Sequence, residues 1–311
     1  MLENIVKTPL NYTGNKSRIL DQLIQFFPKK IDRFVDLCCG GASVGLNVKA
    51  NNIVCIDINS YVIDLLRTLK IYSERTIINK IETIINEYNL SDSYHKGYSA
   101  YKDYVIGNNG LKGFNKTGYT ELRNYFNRNK LNMDYYDKSI YLFVLLIFCF
   151  NNDIRFNSKQ EFNMPIGKTD FNNSIRNKLK SFKEGIKDKN IDFFVADFKV
   201  IKEFELSKND FVYVDPPYLI TDAVYNESGL WNDTKEKELL SLLSYLHTNK
   251  IKFALSNVLK KANKENTILL KWIKDNHFTV KDINYHYRSS SYNKKNRNAN
   301  EREVLVMNYE I

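Results

Sequence analysis

Residues 31–57, IDRFVDLCCGGASVGLNVKANNIVCID, decide the fold. The runs Ile31–Asp36 and Ile53–Asp57 are short and apolar, and each ends in an acid, which is typical of buried strands. Between them lie the turn CCGGAS and a helical segment, Ser43–Ala50. Strand, glycine-containing turn, helix and strand in this order predict a βαβ unit with a right-handed crossover.

The segments outside this unit continue the alternation of strands and helices. A helix over Gly14–Phe27 precedes it, and a helix over Tyr61–Leu69, capped by Asn59, follows it. Helix Asp233–Asn249 begins with a capping box made by Asp233 and Glu236. The remaining predicted elements are the strands Ile191–Asp197, Asp210–Asp215, Lys252–Ser256 and Glu303–Tyr309 and the helix Glu265–Asn276. This order predicts a doubly wound α/β sheet.

The pattern changes between about Tyr72 and Asn190. Helical stretches alternate there with Gly- and Asn-rich loops; they are Thr76–Tyr88, Thr120–Asn127 and Lys138–Phe150. Ile154–Gly167, IRFNSKQEFNMPIG, is typical of a β-hairpin with a polar turn at Ser158–Gln160. We therefore expect a core domain of residues 1–71 and 191–311, with an inserted, mostly helical subdomain over residues 72–190.

Composition narrows the class of protein. The net charge of +10 favours a polyanionic partner such as nucleic acid, although solubility in a lysine-rich proteome also explains it. The four cysteines form no CxxC pair and the histidines have no ligand spacing, so we expect no metal site and a reducing cytoplasm. The N-terminus does not resemble a signal peptide. The apolar run Ile140–Phe150 is too short to span a membrane and predicts a buried helix.

The tetrapeptide Asp215-Pro216-Pro217-Tyr218 carries the chemistry. It follows a buried strand, at the edge where open α/β sheets bind ligands. The two prolines stiffen the turn and remove two amide donors. The Asp215 carboxylate and the Pro216 carbonyl can accept both hydrogens of an amino group on a flat ring, while Tyr218 stacks on that ring. Drawing on both hydrogens frees the nitrogen lone pair to attack an electrophilic methyl group.

A second group of residues has the features of a nucleoside site. Asp36–Ser43, DLCCGGAS, places glycines between a strand and a helix, where the backbone can approach a ligand. Asp57 ends the next strand and is placed to accept hydrogen bonds from ribose hydroxyls. A structural βα turn explains these residues equally well.

Taken with these segments, the sequence resembles the Dam-like class of adenine-N6 DNA methyltransferases over most of its length. The resemblance implies a Rossmann-like class I methyltransferase sheet and S-adenosylmethionine as the methyl donor. YTGNKSR (12–18) resembles the family's W-x-G-G-K, residues 34–47 its F-V-E-P-F-x-G-x-G-S-V-F-L-N segment, and 57–59 its D-I-N. The donor-site residues implied in this way are Tyr12, Gly14, Lys16, Asp36, Gly40, Ser43, Asp57, Ile58, Asp197 and Phe198.

Two segments connect the resemblance to DNA. RFN (155–157) with EFN (161–163) resembles a hairpin that enters DNA in the family and implies DNA contacts by Arg155, Asn157 and Asn163. Arg155 could contact a guanine or a phosphate, while Phe162 and Pro165 could simply shape the hairpin. The stretch Tyr285–Arg302 interleaves aromatics with basic residues, among them Arg288, Lys294, Lys295 and Arg297. It resembles a DNA-facing loop, with a solvated hairpin tip as the alternative.

The expected activity is methylation of the N6 amino group of an adenine flipped out of double-stranded DNA. Asn15, Leu37-Cys38 and residues 219–231 depart from the family pattern, which suggests a branch paired with a restriction endonuclease and puts a GATC target in doubt. Adenine methylation in RNA, glutamine methylation in protein and DNA binding without catalysis are the alternatives. Asn257 could contact the base or cap the next segment.

Overall fold

The computed structural model describes residues 5–10, 12, 14–221, 231–283 and 301–310. It separates into two compact units. The first is formed by Met1–Ile5, Lys16–Ile58 and Lys189–Ile311, and the second by Val6–Asn15 and Asn59–Asp188.

The regular elements are named here in chain order. The described helices are α1 (Leu20–Ile24), α2 (Ser60–Ile71), α3 (Glu74–Glu87), α4 (Ser93–Lys96), α5 (Lys112–Asn129), α6 (Tyr135–Phe148), α7 (Asn173–Ile186), α8 (Asp233–Thr248) and α9 (Thr267–Asn276). The described strands are β1 (Arg33–Leu37), β2 (Asn52–Asp57), β3 (Ile191–Val195), β4 (Phe211–Val214), β5 (Lys252–Lys261), β6 (Lys264–Glu265), β7 (Thr279–Ile283) and β8 (Glu301–Met307). Short 3-10 turns occupy Tyr98–Tyr104, Gly107–Asn109, Phe150–Asn152 and Phe198–Glu203.

A single sheet organises the first unit. Its strand order is β3-β2-β1-β4-β5-β8-β7, and β6 pairs with β5. Strands β1 to β5 are parallel along this path, whereas β8 runs antiparallel to both β5 and β7. The predicted α/β class is therefore confirmed. β7 was not predicted, and it places the last strand, β8, inside the sheet instead of at its edge.

Both faces of the sheet are covered, which is why its central strands are almost continuously apolar. On one face, Phe27 contacts Phe34, Phe211 and Tyr213, with ring centroids 4.9–5.9 Å apart. On the other face, alternate residues of β1 and β4 join a buried core to which α8 and α9 contribute leucines. All four residues of β4 are buried, which fixes the position of the next residue, Asp215, at the edge of the sheet.

Two predicted features of the first unit are wrong. Residues 43–50 form consecutive turns instead of a helix, since Gly45 packs closely against Cys55 of β2 and its N–H donates to the Asp36 carboxylate (2.8 Å). The first helix is confined to α1, and the Lys16 N–H before it is taken by the Ser43 hydroxyl (3.1 Å).

The start of α8 also differs from the prediction. Asn232, not Asp233, caps the helix, since its side chain accepts from the Lys235 N–H. Glu236 does not return to the cap. Its carboxylate is fully buried and accepts from the Trp231 indole N–H (2.8 Å) and the Asn266 amide (2.9 Å).

The second unit is built around α6, whose residues Ser139 to Phe148 are all buried, as predicted for this apolar run. Helices α2, α3 and α5 pack against α6, and α7 packs on α2 and α3. None of the helices that the structure describes is long and apolar enough to cross a membrane. The predicted hairpin over 154–167 is present in reduced form, with a single antiparallel bridge between Phe156 and Phe162 connecting its arms.

Candidate active site

The candidate site lies where the strand order of the sheet reverses. The strands continue from β1 through β2 to β3 on one side and from β4 to β5 on the other, which places a crevice at the carboxyl ends of β1 and β4. Asp215 is the first residue after β4, and its backbone N–H donates to the carbonyl of Leu37, the last residue of β1 (3.2 Å). The tetrapeptide that begins at Asp215 therefore opens at this crevice.

The side chain of Lys16 contacts acidic residues on or next to two strands at this point. The Lys16 ammonium lies 3.0 Å from Asp215 Oδ1 and 3.5 Å from Glu303 Oε1, and it donates to the Tyr218 hydroxyl (2.6 Å). The Tyr218 hydroxyl is 2.8 Å from Asp215 Oδ1 and 3.3 Å from Glu303 Oε1, so its single hydrogen goes preferentially to Asp215. Lys16 is 4% exposed, hence the ion pair is largely protected from solvent.

In this arrangement the two carboxylate oxygens of Asp215 have different surroundings. Among the described residues, both polar contacts of the carboxylate, those with Lys16 and Tyr218, fall on Oδ1. Oδ2 is consequently the oxygen left to accept from a ligand. Pro216 and Pro217 carry no N–H, so the turn that follows offers a ligand acceptors and no backbone donors until Tyr218.

Buried acids dominate the electrostatics of the crevice. Burial raises the pKa of Asp36 to about 8, the Gly45 N–H opposes that rise, and the nearby carboxylates of Asp215 and Asp57 add to it. Burial also raises the pKa of Asp215, against the opposing charge of Lys16. The pKa of Glu303 is raised in the same way, with Lys16 again opposing. Each of these acids thus takes up a proton more readily than in water.

The neighbouring strand ends carry the residues expected to bind a nucleoside. Asp57 closes β2, and its Oδ2 accepts from the Gly40 N–H (2.8 Å), which joins the acid to the glycine turn. Ile58 follows with 66% of its surface exposed, an apolar face beside the acid. After β3, Asp197 caps the turn that holds Phe198, and the Phe198 ring contacts Trp231 edge-on at 5.9 Å.

The turn after β1 is held in an unusual backbone conformation. Cys38, Gly40 and Ala42 all have positive φ (60°, 48° and 57°), which costs energy for the two residues that have a Cβ. Gly45 meets a separate constraint, since a Cβ there would lie 2.5 Å from Cys55 Sγ and 3.1 Å from Asp36 Oδ2. Strain and close packing together fix the loop that presents Gly40 and Ser43.

Tyr12 and Gly14 belong to the second unit. The Asn15 N–H donates to the Tyr12 carbonyl (3.1 Å), and Gly14 takes φ +86°, the left-handed conformation that a type II turn requires at this position.

The hairpin residues expected to contact DNA bind one another in this structure. Arg155 Nε donates to Asn163 Oδ1 (2.9 Å) and its Nη2 to the Asn163 carbonyl (3.3 Å). The Asn157 side chain accepts from the Lys159 and Glu161 N–H groups (both 2.9 Å) and so shapes the turn. Arg288, Lys294, Lys295 and Arg297, and most of residues 219–231, lie outside the described residues.

Sequence reasoning did not single out two functional candidates. Glu303 was noted only as the start of a strand, and its contact with Lys16 depends on where β8 lies in the sheet. Gly45 was overlooked because its importance is a close approach to β2. Asn257, expected at a base or a cap, is fully buried and lies 3.4 Å from the Glu236 carboxylate. Its Oδ1 accepts from the Val258 N–H (2.7 Å) within β5, so the expected cap is wrong, while the base contact stays a prediction.

Comparison with known proteins identifies the family of this chain. A family model described as D12 class N6 adenine-specific DNA methyltransferase matches residues 12–293. The chain is 38% identical to the type II methyltransferase M.FokI of Planomicrobium okeanokoites and 33% identical to the modification methylase StsI of Streptococcus sanguinis, each match covering 98% of this chain and 43% of the relative. It is 26% identical to the DNA adenine methylase of Haemophilus influenzae, over 71% of this chain and 66% of that protein.

The chain thus spans less than half the length of the first two relatives. The family match extends across both compact units and includes Asp215-Pro216-Pro217-Tyr218 and the hairpin. This chain belongs to the D12 class of N6 adenine-specific DNA methyltransferases.

Proposed function

We propose that this chain transfers a methyl group from S-adenosylmethionine to the N6 amino group of an adenine flipped out of double-stranded DNA. The observation that carries the proposal is the orientation of Asp215. Lys16 and Tyr218 occupy Oδ1, so Oδ2 and the Pro216 carbonyl remain to accept the two hydrogens of the amino group. Tyr218 stacks its ring on the base, and Pro217 keeps the turn rigid.

The residues at the ends of β1, β2 and β3 have the chemistry that an adenosyl donor needs. Asp57 would accept from ribose hydroxyls, and exposed Ile58, Asp197 and Phe198 would hold the adenine. Gly40, Ser43, Asp36 and Lys16 would hold the methionine end, and Tyr12 and Gly14 are further proposed donor-binding residues. When bound, the donor supplies an electrophilic methyl on a positively charged sulfur. The chain's own part is to hold and orient the amino group.

Residues 1–71 and 191–311 are proposed to carry methyl transfer, and residues 72–190 target recognition. Arg155, Asn157 and Asn163 on the hairpin, with Arg288, Lys294, Lys295 and Arg297, are the proposed DNA contacts. The surplus of ten positive charges supports a polyanionic substrate. The four unpaired cysteines agree with a reducing cytoplasm.

A cognate restriction endonuclease is the proposed partner. Two relatives are named as a type II methyltransferase and a modification methylase, which suggests that this chain also protects a recognition site from cleavage.

The deciding experiment measures transfer of labelled methyl from S-adenosylmethionine to unmethylated genomic DNA, followed by nucleoside analysis and sequencing of modified sites. The expected result is N6-methyladenine at one recurrent motif, with Asp215→Ala binding donor but transferring nothing. Label in RNA instead of duplex DNA would replace the proposed substrate. Donor binding with no transfer to either nucleic acid would refute the catalytic role.

A further inference from the structure

The hairpin over residues 154–167 is held by a helix more than by its own pairing. Its arms share one bridge, Phe156 with Phe162. Inward-facing backbone groups hydrogen-bond between the arms. The Asn163 N–H donates to the Arg155 carbonyl (3.2 Å), and the Asn157 N–H donates to the Glu161 carbonyl (2.9 Å). The N–H and carbonyl of Phe162 and the carbonyls of Gln160 and Met164 turn the other way, while the Gln160 N–H donates to the Asn157 carbonyl (2.8 Å).

Side chains of α5 bind the groups that face away. Tyr119 and Arg123 donate to the Met164 carbonyl (2.7 and 3.2 Å). Asn127 donates to the Phe162 carbonyl (2.9 Å) and accepts from the Phe162 N–H (2.8 Å), as a paired strand would. The Lys130 ammonium donates to the Gln160 carbonyl. Tyr119, Arg123 and Asn127 of α5 and Lys130, the C-cap residue directly after it, are spaced by four, four and three, so they share one face of the helix.

The aromatic base of the hairpin is fixed as well. Phe156 stacks on Tyr61 of α2 with ring centroids 4.1 Å apart and meets Phe162 edge-on at 5.7 Å. The Lys130 ammonium lies over the Phe156 ring, 5.5 Å from its centroid. The side chain of Phe162 is 1% exposed, whereas Arg155 lies on the exposed side.

We propose that α5 acts as a substitute third strand that sets the register of the DNA-reading hairpin, with Asn127 as the principal positioning residue. A slip of one residue in a strand moves every side chain to the opposite face. A hairpin with one bridge specifies its register weakly, and the paired contacts of Asn127 to Phe162 remove that freedom. Arg155 and Asn163 are thereby presented together on the exposed side. This inference rests on the proposed function, because it assumes that the hairpin reads DNA.

The test compares Asn127→Ala with Asn124→Ala, a matched change at an exposed position of the same helix. Loss of the two Asn127 hydrogen bonds is expected to raise the KM for a duplex carrying the recognition site about tenfold. Discrimination against duplexes with single base-pair changes should fall, while kcat at saturating DNA and the Kd for donor stay within about twofold. Asn124→Ala should resemble the wild type.

Amide hydrogen exchange separates this inference from the proposed function. Peptides covering 154–167 should exchange faster in Asn127→Ala and not in Asn124→Ala. Unchanged exchange, or faster exchange with unchanged KM and discrimination, would overturn the positioning role. If the wild type methylates no DNA while exchange responds, the proposed function fails and the hairpin's role in reading DNA fails with it. Should Asn127→Ala not fold, Lys130→Met removes the Gln160 contact while keeping an apolar stem over Phe156.

Discussion

Replacement of Asp215 by asparagine tests the division of labour between its two oxygens. Lys16 needs an acceptor at 3.0 Å, so the amide of Asp215→Asn must keep its oxygen toward Lys16 and Tyr218. Its NH2 group then takes the place of Oδ2, so two hydrogen-bond donors face each other, the amide of the variant and the amino group of the substrate. The variant therefore loses the substrate contact while the surrounding contacts persist.

The size of the effect follows from when the lost contact matters. In the proposed reaction, the hydrogen bond from the amino group to Oδ2 would strengthen as positive charge develops on the nitrogen, so its loss would act on the transition state. Removing one such preorganised polar contact typically costs about 3–4 kcal/mol, or about 10²–10³-fold in kcat. Donor binding should stay within about threefold, because the strand ends that carry Asp57 and Gly40 are unchanged.

Single-turnover methyl transfer to a site-containing duplex gives the rate of the chemical step, and equilibrium titration gives the Kd for donor. A thermal melt confirms that Asp215→Asn is folded. A chemical step within about fivefold of wild type would refute the role of Oδ2. A fall in rate matched by an equal loss of donor affinity would assign Asp215 to donor binding instead.

Three further changes test the remaining contacts. Tyr218→Phe keeps the stacking ring and should lower kcat/KM by less than about tenfold. Tyr218→Ala removes the ring and should raise the KM for DNA about tenfold or more. Equal effects of the two variants in steady-state assays would contradict stacking. Burial raises the pKa of Asp215 and the charge of Lys16 opposes this, so Lys16→Met should raise that pKa further and shift the increase of kcat with pH to higher pH. An unchanged pH profile of kcat would contradict the pairing of Lys16 with Asp215. Burial raises the pKa of Asp36 from 3.8 to about 8, so between these two pH values the folded wild type holds a proton that the unfolded chain has lost, and its free energy of unfolding falls as pH rises. The melting temperature of Asp36→Asn relative to wild type should therefore rise between about pH 4 and about pH 8 and level off above that range, and a constant difference would contradict the raised pKa.

Local signals in the sequence predicted the strands and the tetrapeptide well. The strands that end at Asp36, Asp57 and Asp215 are short apolar runs bounded by an acid, and that pattern needs no knowledge of distant partners. Helix α7 was missed although its signal is present. Asn172 caps it, and Leu179, Phe182 and Ile186 repeat at helical spacing on its buried side.

What could not be predicted depends on contacts between distant parts of the chain. Glu303 reaches Lys16 only because β8 inserts between β5 and β7, an order that no local pattern encodes. Residues 43–50 include the helix formers Leu46, Lys49 and Ala50, yet Gly45 packs closely against Cys55 of β2 and the run forms turns without a continuous helical ladder. Asn257 lies in a buried hydrogen-bond network, where its amide donates to the carboxylate of Glu236, 21 residues away, because a buried carboxylate requires hydrogen-bond donors.

The same distant contacts explain why the site is costly to fold. Burial raises the pKa of Asp36, Asp215 and Glu303, the charge of Asp215 adds to the rise for the other two, and Lys16 opposes the rise for Asp215 and Glu303. Buried acids without enough positive charge destabilise a fold, and such an excess persists where function requires it. A donor with a positively charged sulfur would offset that excess, and the neutral thioether left after methyl transfer would not. In the proposed reaction, these acids are therefore expected to favour binding of the charged donor over its neutral product.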